Sequence, residues 1–389
     1  MAETEPAYEY DREPFLVVHQ KGAQGRDAYG GRADVAALEC HRLIPRGRDS
    51  DTVLIFMHPL GVGHYLPILS SLAKSGAHVI YAGTRYRGSD AGLVMEKCAL
   101  DLGAVVEHAR EKLGYHTVVL CGWSGGGSLS AFFQAEAEDP KVTETPDGRP
   151  MNFAAAGLKP ADAVILIAAH VSRAGTLTAW LDASITDERD PDQRNEALDL
   201  YGAEVAPPYS DAFLDRYRAA QIARNQRITA WALERLQHLE RRDGPQADEC
   251  FTVHGTMADP RWLDPAVDPN DRPPGRCYLG PPKQVNMSPV GLARHCSLRS
   301  WLSQWSLDHH QAHGPACLPR VSRPVLVLEH SADDACTPSH AKRLYDAAPP
   351  DRRTFKRIEG ANHYYFGQPD KAAQGAHACL EWLEGEGLL

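Results

Sequence analysis

Several things are scarce or missing in this sequence, and each absence removes a class of protein. No apolar run approaches the ~18–20 residues needed to span a bilayer. Nine cysteines are scattered singly from Cys40 to Cys379, with no Cys-x-x-Cys pair. An odd, dispersed set argues against a disulfide framework or a zinc site, and for small buried hydrophobes in a reducing compartment. Basic charge is also short: 41 Lys and Arg against 51 Asp and Glu leave a formal net charge of −10. Phosphate binding needs clustered cations, so nucleic acid is excluded as a partner. There is no internal repeat and no low-complexity segment. The opening Met-Ala-Glu-Thr-Glu-Pro lacks the basic-then-apolar layout of a signal peptide. The expectation is a soluble, cytoplasmic protein with no membrane partner.

What is present is ordinary globular material, 43% hydrophobic and 24% charged. At 389 residues the chain is about twice a typical domain, enough for one large core with an insertion or for two domains. Over the first part, strand-like and helix-like patterns alternate. Pro14 to His19 and Val35 to Ile44 read as early strands. Thr52 to Met57 (TVLIFM), His78 to Tyr81, Thr117 to Cys121 (TVVLC) and Ala163 to Ala168 (AVILIA) are continuous apolar runs, as strands buried on both faces require. Helices are expected over Cys98 to Leu113, where Leu100, Ala104, Val105, Ala109 and Leu113 recur at helical spacing, and over Ser128 to Ala137. Such alternation calls for a parallel sheet covered on both faces.

Between about 171 and 320 the pattern changes. Ser210 to Gly244 reads as one long helix, with Ser210 as N-cap and a stop at Arg241, Arg242, Gly244 and Pro245. Pro260 to Pro289 is dense in Pro, Gly and Asp and should be irregular. A second helical stretch is expected over Leu292 to Leu307, with Trp301 and Trp305 on one face. The alternation then resumes: a strand at Pro324 to Glu329, a helix at Ser339 to Ala348, a strand at Thr354 to Ile358 and a helix at Lys371 to Leu383. The middle segment therefore interrupts a sheet that continues beyond it.

Chemistry concentrates at Gly122-Trp123-Ser124-Gly125-Gly126, directly after the TVVLC strand and directly before a helix. Neither Gly-x-Gly-x-x-Gly nor Gly-Lys-Ser/Thr follows that strand, which weakens a phosphate-binding reading. A Gly-x-Ser-x-Gly turn in this setting lifts the serine hydroxyl above the carboxyl end of the sheet, at a helix N-terminus that favours developing negative charge. A serine nucleophile needs a base and a carboxylate to orient that base. Asp333 and Asp334 follow the PVLVLE strand, and His363 follows the next one. Residues just past parallel strand ends gather on one rim, so the expected trio is Ser124, His363 and Asp333, with Asp334 as the alternative acid. Two N–H donors must receive the oxyanion. Gly125 is one; the other is expected in Met57-His58-Pro59-Leu60-Gly61, where Pro59 lacks an N–H and Leu60 is preferred.

Taken together, these motifs closely resemble the α/β-hydrolase superfamily over about residues 50–170 and 320–389. The carriers are His-Pro-Leu-Gly, Gly-Trp-Ser-Gly-Gly, Ser-Ala-Asp-Asp before Pro338, and Gly-Ala-Asn-His. The resemblance implies an α/β-hydrolase fold: a mostly parallel sheet flanked by helices, formed by 1–170 and 320–389. It also implies a mainly helical cap at 171–319, inserted after the sixth strand. Ser at the turn, where dehalogenases and epoxide hydrolases carry Asp, points away from those chemistries. The cap resembles no characterised one, and most of Trp180, Trp231, Trp262, Trp301 and Trp305 are expected in its core. Asp308, His309, His310 and His313 match no strong ligand spacing.

The expected activity is hydrolysis of a carboxylic ester or lactone of a bulky, largely apolar small molecule, with no cofactor and no metal. The alternatives are a C–C bond hydrolase, amidase, thioesterase or acyltransferase with the same three residues, or a small-molecule receptor on a hydrolase fold. A homodimer is left open.

Overall fold

Eight strands form a single sheet in the order β1-β2-β4-β3-β5-β6-β7-β8. The computed structural model describes residues 7–21 and 35–389. The strands are β1 (Tyr10–His19), β2 (Ala36–Pro45), β3 (Thr52–Met57), β4 (His78–Ala82), β5 (Thr117–Ser124), β6 (Ala163–Ala169), β7 (Val325–His330) and β8 (Arg353–Ile358). β1 and β2 are antiparallel to each other, and β2 is antiparallel to β4. From β4 to β8 every pairing is parallel.

Continuous apolar runs make the central strands because parallel strands are covered on both faces. Every residue of β3, β4, β6 and β7 is buried, whereas β2 alternates buried and exposed over its first half. Helices α2 (Met95–Glu111) and α3 (Gly125–Glu138) pack one face of the sheet, in a cluster with Val118, Leu120, Val164 and Val327. Helix α1 (Pro67–Lys74) and a C-terminal helix (Pro369–Gly385) cover the other, around Leu54, Val119, Ile165 and Leu326. An eight-stranded, mostly parallel sheet flanked by helices, with a long insertion after its sixth strand, is the α/β-hydrolase architecture expected from the sequence.

The insertion begins with helix α4 (Arg173–Trp180) and contains the 33-residue helix α5 (Asp211–Asp243), capped by the Ser210 hydroxyl. A short antiparallel hairpin (Ile185–Asp187 with Asp190–Arg194) and an antiparallel pair of distant strands (Cys250–Thr252 with His295–Ser297) accompany them. The continuous helix expected over Leu292 to Leu307 is not formed. His295–Ser297 is a short strand, one turn follows at Leu298–Ser300, and Trp301–Trp305 winds into a wider turn closed by the Ser306 N–H on the Trp301 carbonyl at 2.8 Å. Trp301 and Trp305 still enter one apolar cluster with Leu177, Leu181, Ile228 and Leu236. Trp180 and Trp262 are buried as well, but Trp231 is 43% exposed on α5. No helix among the described residues is long and apolar enough to cross a membrane.

Candidate active site

β5 ends at Ser124 in a backbone conformation few side chains adopt, φ 55° and ψ −126°, and α3 starts at the next residue. The neighbours must lack side chains for this turn to close. A Cβ on Gly122 would lie 2.6 Å from the Gly127 Cα, and one on Gly126 would run into the Met57 carbonyl of β3. The Ser124 carbonyl is tied down by the His170 N–H at 3.0 Å, just past β6. The hydroxyl is therefore held above the carboxyl end of the sheet, at the N-terminus of α3.

Two loops bring partners to it. His363 lies after β8, with its Nε2 3.0 Å from Ser124 Oγ and its Nδ1 2.8 Å from Asp333 Oδ2. The indole N–H of Trp123 donates to the His363 carbonyl at 3.0 Å, which ties the loop to the turn that carries Ser124. Asp333, fully buried after β7, receives the Ala335 and Cys336 N–H groups on Oδ1 at 2.7 and 2.8 Å. Its second oxygen is left for the imidazole. Asp334 does not reach His363 by any hydrogen bond; its carbonyl accepts from the Trp262 indole at 2.6 Å. Burial and the neighbouring Asp333 charge push the Asp334 carboxyl up to about 6. Among the described residues, Asp333, Cys336 and His363 are the one group close enough to share a cation. Asp333 and His363 are already committed to each other and to Ser124.

The two expected oxyanion donors are placed differently. Gly125 is the first residue of α3, so its N–H has no intrahelical acceptor. The Leu60 N–H, in contrast, donates to His58 Nδ1 at 3.2 Å. It lines the site but is not free in this arrangement. Burial, reinforced by the Arg173 charge, pushes the His58 imidazole down to about 3, so the ring is neutral and its Nδ1 can accept.

Above Ser124 lies a cavity of about 540 Å³. Rings and aliphatic groups dominate its wall, including Tyr65, Trp123, Trp180, Tyr278, Leu292 and Tyr364. Trp180 is thus the inserted tryptophan that reaches the cavity. Asp90 and Arg173 are the charged exceptions.

The sequence offered little sign of what braces the acid loop. Asn270 donates to the Asp333 carbonyl at 2.7 Å, Arg261 to the Thr337 hydroxyl at 2.8 Å, and the Asp271 N–H to the Ser331 carbonyl at 2.8 Å. All lie in the stretch expected to be merely irregular. Polar residues inside a Pro-rich run look like solvated loop until their partners are known.

No protein-family model matches the chain, and no curated protein matches it either. Solved structures similar to it include an esterase domain from a Rhodothermus marinus protein, at 13% identity and TM-score 0.46, covering 95% of this chain and 98% of that one. Another is Est1E from Butyrivibrio proteoclasticus, at 11% identity and TM-score 0.47, covering 90% and 96%. A monoacylglycerol lipase from Paleococcus ferrophilus is similar at 15% identity and TM-score 0.42, covering 96% and 98%.

Proposed function

We propose that this protein is a serine hydrolase that cleaves a carboxylic ester or lactone of a bulky, largely apolar small molecule. The observation that carries the reading is the unbroken line from Asp333 Oδ2 through both nitrogens of His363 to Ser124 Oγ, at 2.8 and 3.0 Å. A hydroxyl is a weak nucleophile at neutral pH and needs a base in such contact. In this mechanism His363 takes the Ser124 proton as Oγ attacks the carbonyl carbon. The Gly125 N–H receives the oxyanion, and the Leu60 N–H joins it once released by His58. Asp333 holds the imidazole in the required tautomer and stabilises its protonated form. His363 then protonates the leaving oxygen, giving an acyl-enzyme. Water, deprotonated by His363, attacks the ester carbon and returns Ser124.

The segment 171–319 acts as a cap in this reading. Trp180, Tyr278 and Leu292 supply apolar wall to the cavity, which suits a substrate with substantial hydrophobic bulk. Ser124→Ala and His363→Ala should each lower kcat on a naphthyl or nitrophenyl ester by at least about 10³-fold. Near wild-type turnover by Ser124→Ala would sink the proposal.

One observation favours a second reading. With Leu60 bonded to His58, the resting site offers one free oxyanion donor, which suits a small-molecule receptor with residual turnover. Rapid fluorophosphonate labelling of Ser124 without multiple turnover of any ester would select the receptor.

A further inference from the structure

Arg173 does not fit the wall it stands in. It is the first residue of α4, brought over the site by the Ser172 cap, and it is only 6% exposed. Its Nη2 donates to Asp90 at 2.7 Å, and its guanidinium carbon lies 4.2 Å from the Trp305 ring centroid. There its partnerships among the described residues end. Nε is buried without an acceptor, and Nη1 donates to none. A guanidinium carries five donors in a planar fork, and burying it with most of them unused is costly.

Of the unpaired groups, Nη1 faces the reacting residues. Nη1 lies 3.5 Å from where a Cβ on Gly125 would stand, and His58 Nε2 lies 2.9 Å from the same point. His58 is neutral and accepts the Leu60 N–H on Nδ1, so its Nε2 carries the proton and stands beside Nη1 as a second donor without adding charge. Asp90 pairs with Nη2 alone, and no other acceptor among the described residues of the wall, such as the Ser124 or Thr176 hydroxyl, takes a hydrogen bond from Arg173. An acceptor that completes Arg173 must therefore arrive with the ligand. A carboxylate matches the fork in charge and shape.

We propose that Arg173 is a specificity-determining residue, and that the preferred substrate is a monoanionic ester whose acyl part carries a carboxylate a few atoms from the scissile carbonyl. The acyl side is assigned because Nη1 borders Gly125, the oxyanion donor, whereas the leaving group must face His363. This rests on the reading of Ser124 as the nucleophile. The apolar cavity accepts the bulk of the substrate, and Arg173 sets its register.

The test compares the mono-1-naphthyl ester of glutaric acid with 1-naphthyl pentanoate. Wild-type protein should favour the anionic ester in kcat/KM by at least about tenfold, the range of a charge-assisted hydrogen bond. In Arg173→Met that preference should vanish, mainly through KM. Arg173→Lys, which keeps the charge without the fork, should restore part of it and guards against misfolding of the first variant. Equal use of both esters by the wild type overturns the proposal. So does an equal loss of kcat on both esters in Arg173→Met, which would make Arg173 an oxyanion donor instead. Glutarate binding to wild type and to Ser124→Ala, read by calorimetry, separates the two claims. Binding that Arg173→Met abolishes supports the carboxylate site even if neither ester turns over, in which case the hydrolase reading alone fails. Absence of both binding and ester preference overturns the site.

Discussion

Asp333 and Asp334 are adjacent carboxylates in opposite surroundings. Asp333 accepts two backbone N–H groups on one oxygen and faces His363 with the other. Asp334 is less well compensated, and burial beside Asp333 raises it to about 6. Asp333→Asn should lower kcat on the order of 10³–10⁴-fold, because an amide cannot hold the imidazole in the working tautomer or balance its charge. Asp334→Asn should act chiefly on stability. With its folded pKa above the unfolded value of 3.8, Asp334 binds its proton more tightly in the folded chain. That contribution is fully present below about pH 4 and is lost as pH rises through about 6. The charged form is then a burden which asparagine removes. Urea unfolding should find Asp334→Asn more stable than wild type by on the order of 1–3 kcal/mol at pH 8, with little difference at pH 4. A larger gain at pH 4 than at pH 8 would contradict this account.

At the level of elements, what could be read ahead of the structure was whatever local patterning decides. Runs such as Thr52–Met57 and Ala163–Ala169 need no alternation because both faces are covered, so an apolar, β-branched run suffices to mark them. The Ser124 turn was equally readable from its Gly-x-Ser-x-Gly spacing, although only Gly122 answers to a neighbour in the turn itself, while Gly126 must make room for the Met57 carbonyl of β3. The stretch from Leu292 to Leu307 misleads because Trp301 and Trp305 mimic one helical face, while tertiary packing against Leu177 and Ile228 winds the chain more widely. The Leu60 donor was placed from the absence of an N–H at Pro59. Nothing local showed that the His58 ring would claim it. Least readable was the 260–275 segment, whose value lies in contacts across roughly sixty residues of sequence or more, such as Trp262 to Asp334. Trp262→Phe tests that brace. It leaves the Asp334 carbonyl without its donor while preserving most of the buried ring, and should cost about 1–3 kcal/mol. Because the loop it holds presents Asp333, kcat should fall more than KM rises. Unaltered kcat in a destabilised variant would show that the brace supports the fold but not the site.

At the scale of the whole molecule, the insertion and the sheet are joined by polar contacts buried at their seam. The Ser303 hydroxyl accepts the Met95 N–H at the start of α2 and donates to Glu96 Oε2, both at 2.7 Å. Ser300 and Gln304 reach the Asp90 carbonyl, and Arg299 reaches Asp147. A seam of this kind should make the two parts unfold together. Near-UV dichroism reports mainly on the insertion, which holds five of the seven tryptophans, at 180, 231, 262, 301 and 305. Fluorophosphonate labelling of Ser124 reports on the sheet, and the two should share one urea midpoint. Glu96 then offers a handle on that joint transition. It is fully buried, one of its oxygens has no partner, and desolvation raises its carboxyl from 4.5 to about 7. Its proton is therefore held more tightly in the folded state. The associated stability is fully present below about pH 4.5 and disappears as pH rises through about 7. Glu96→Gln keeps an acceptor for Ser303 and removes the charge, so it should raise stability at pH 8.5 by on the order of 1 kcal/mol or more and change little at pH 4.5. If insertion and sheet form one cooperative unit, both probes move by the same amount in this variant. A shift confined to the dichroism would mean that the insertion melts separately, and that the cavity wall over Ser124 opens before the site itself is lost.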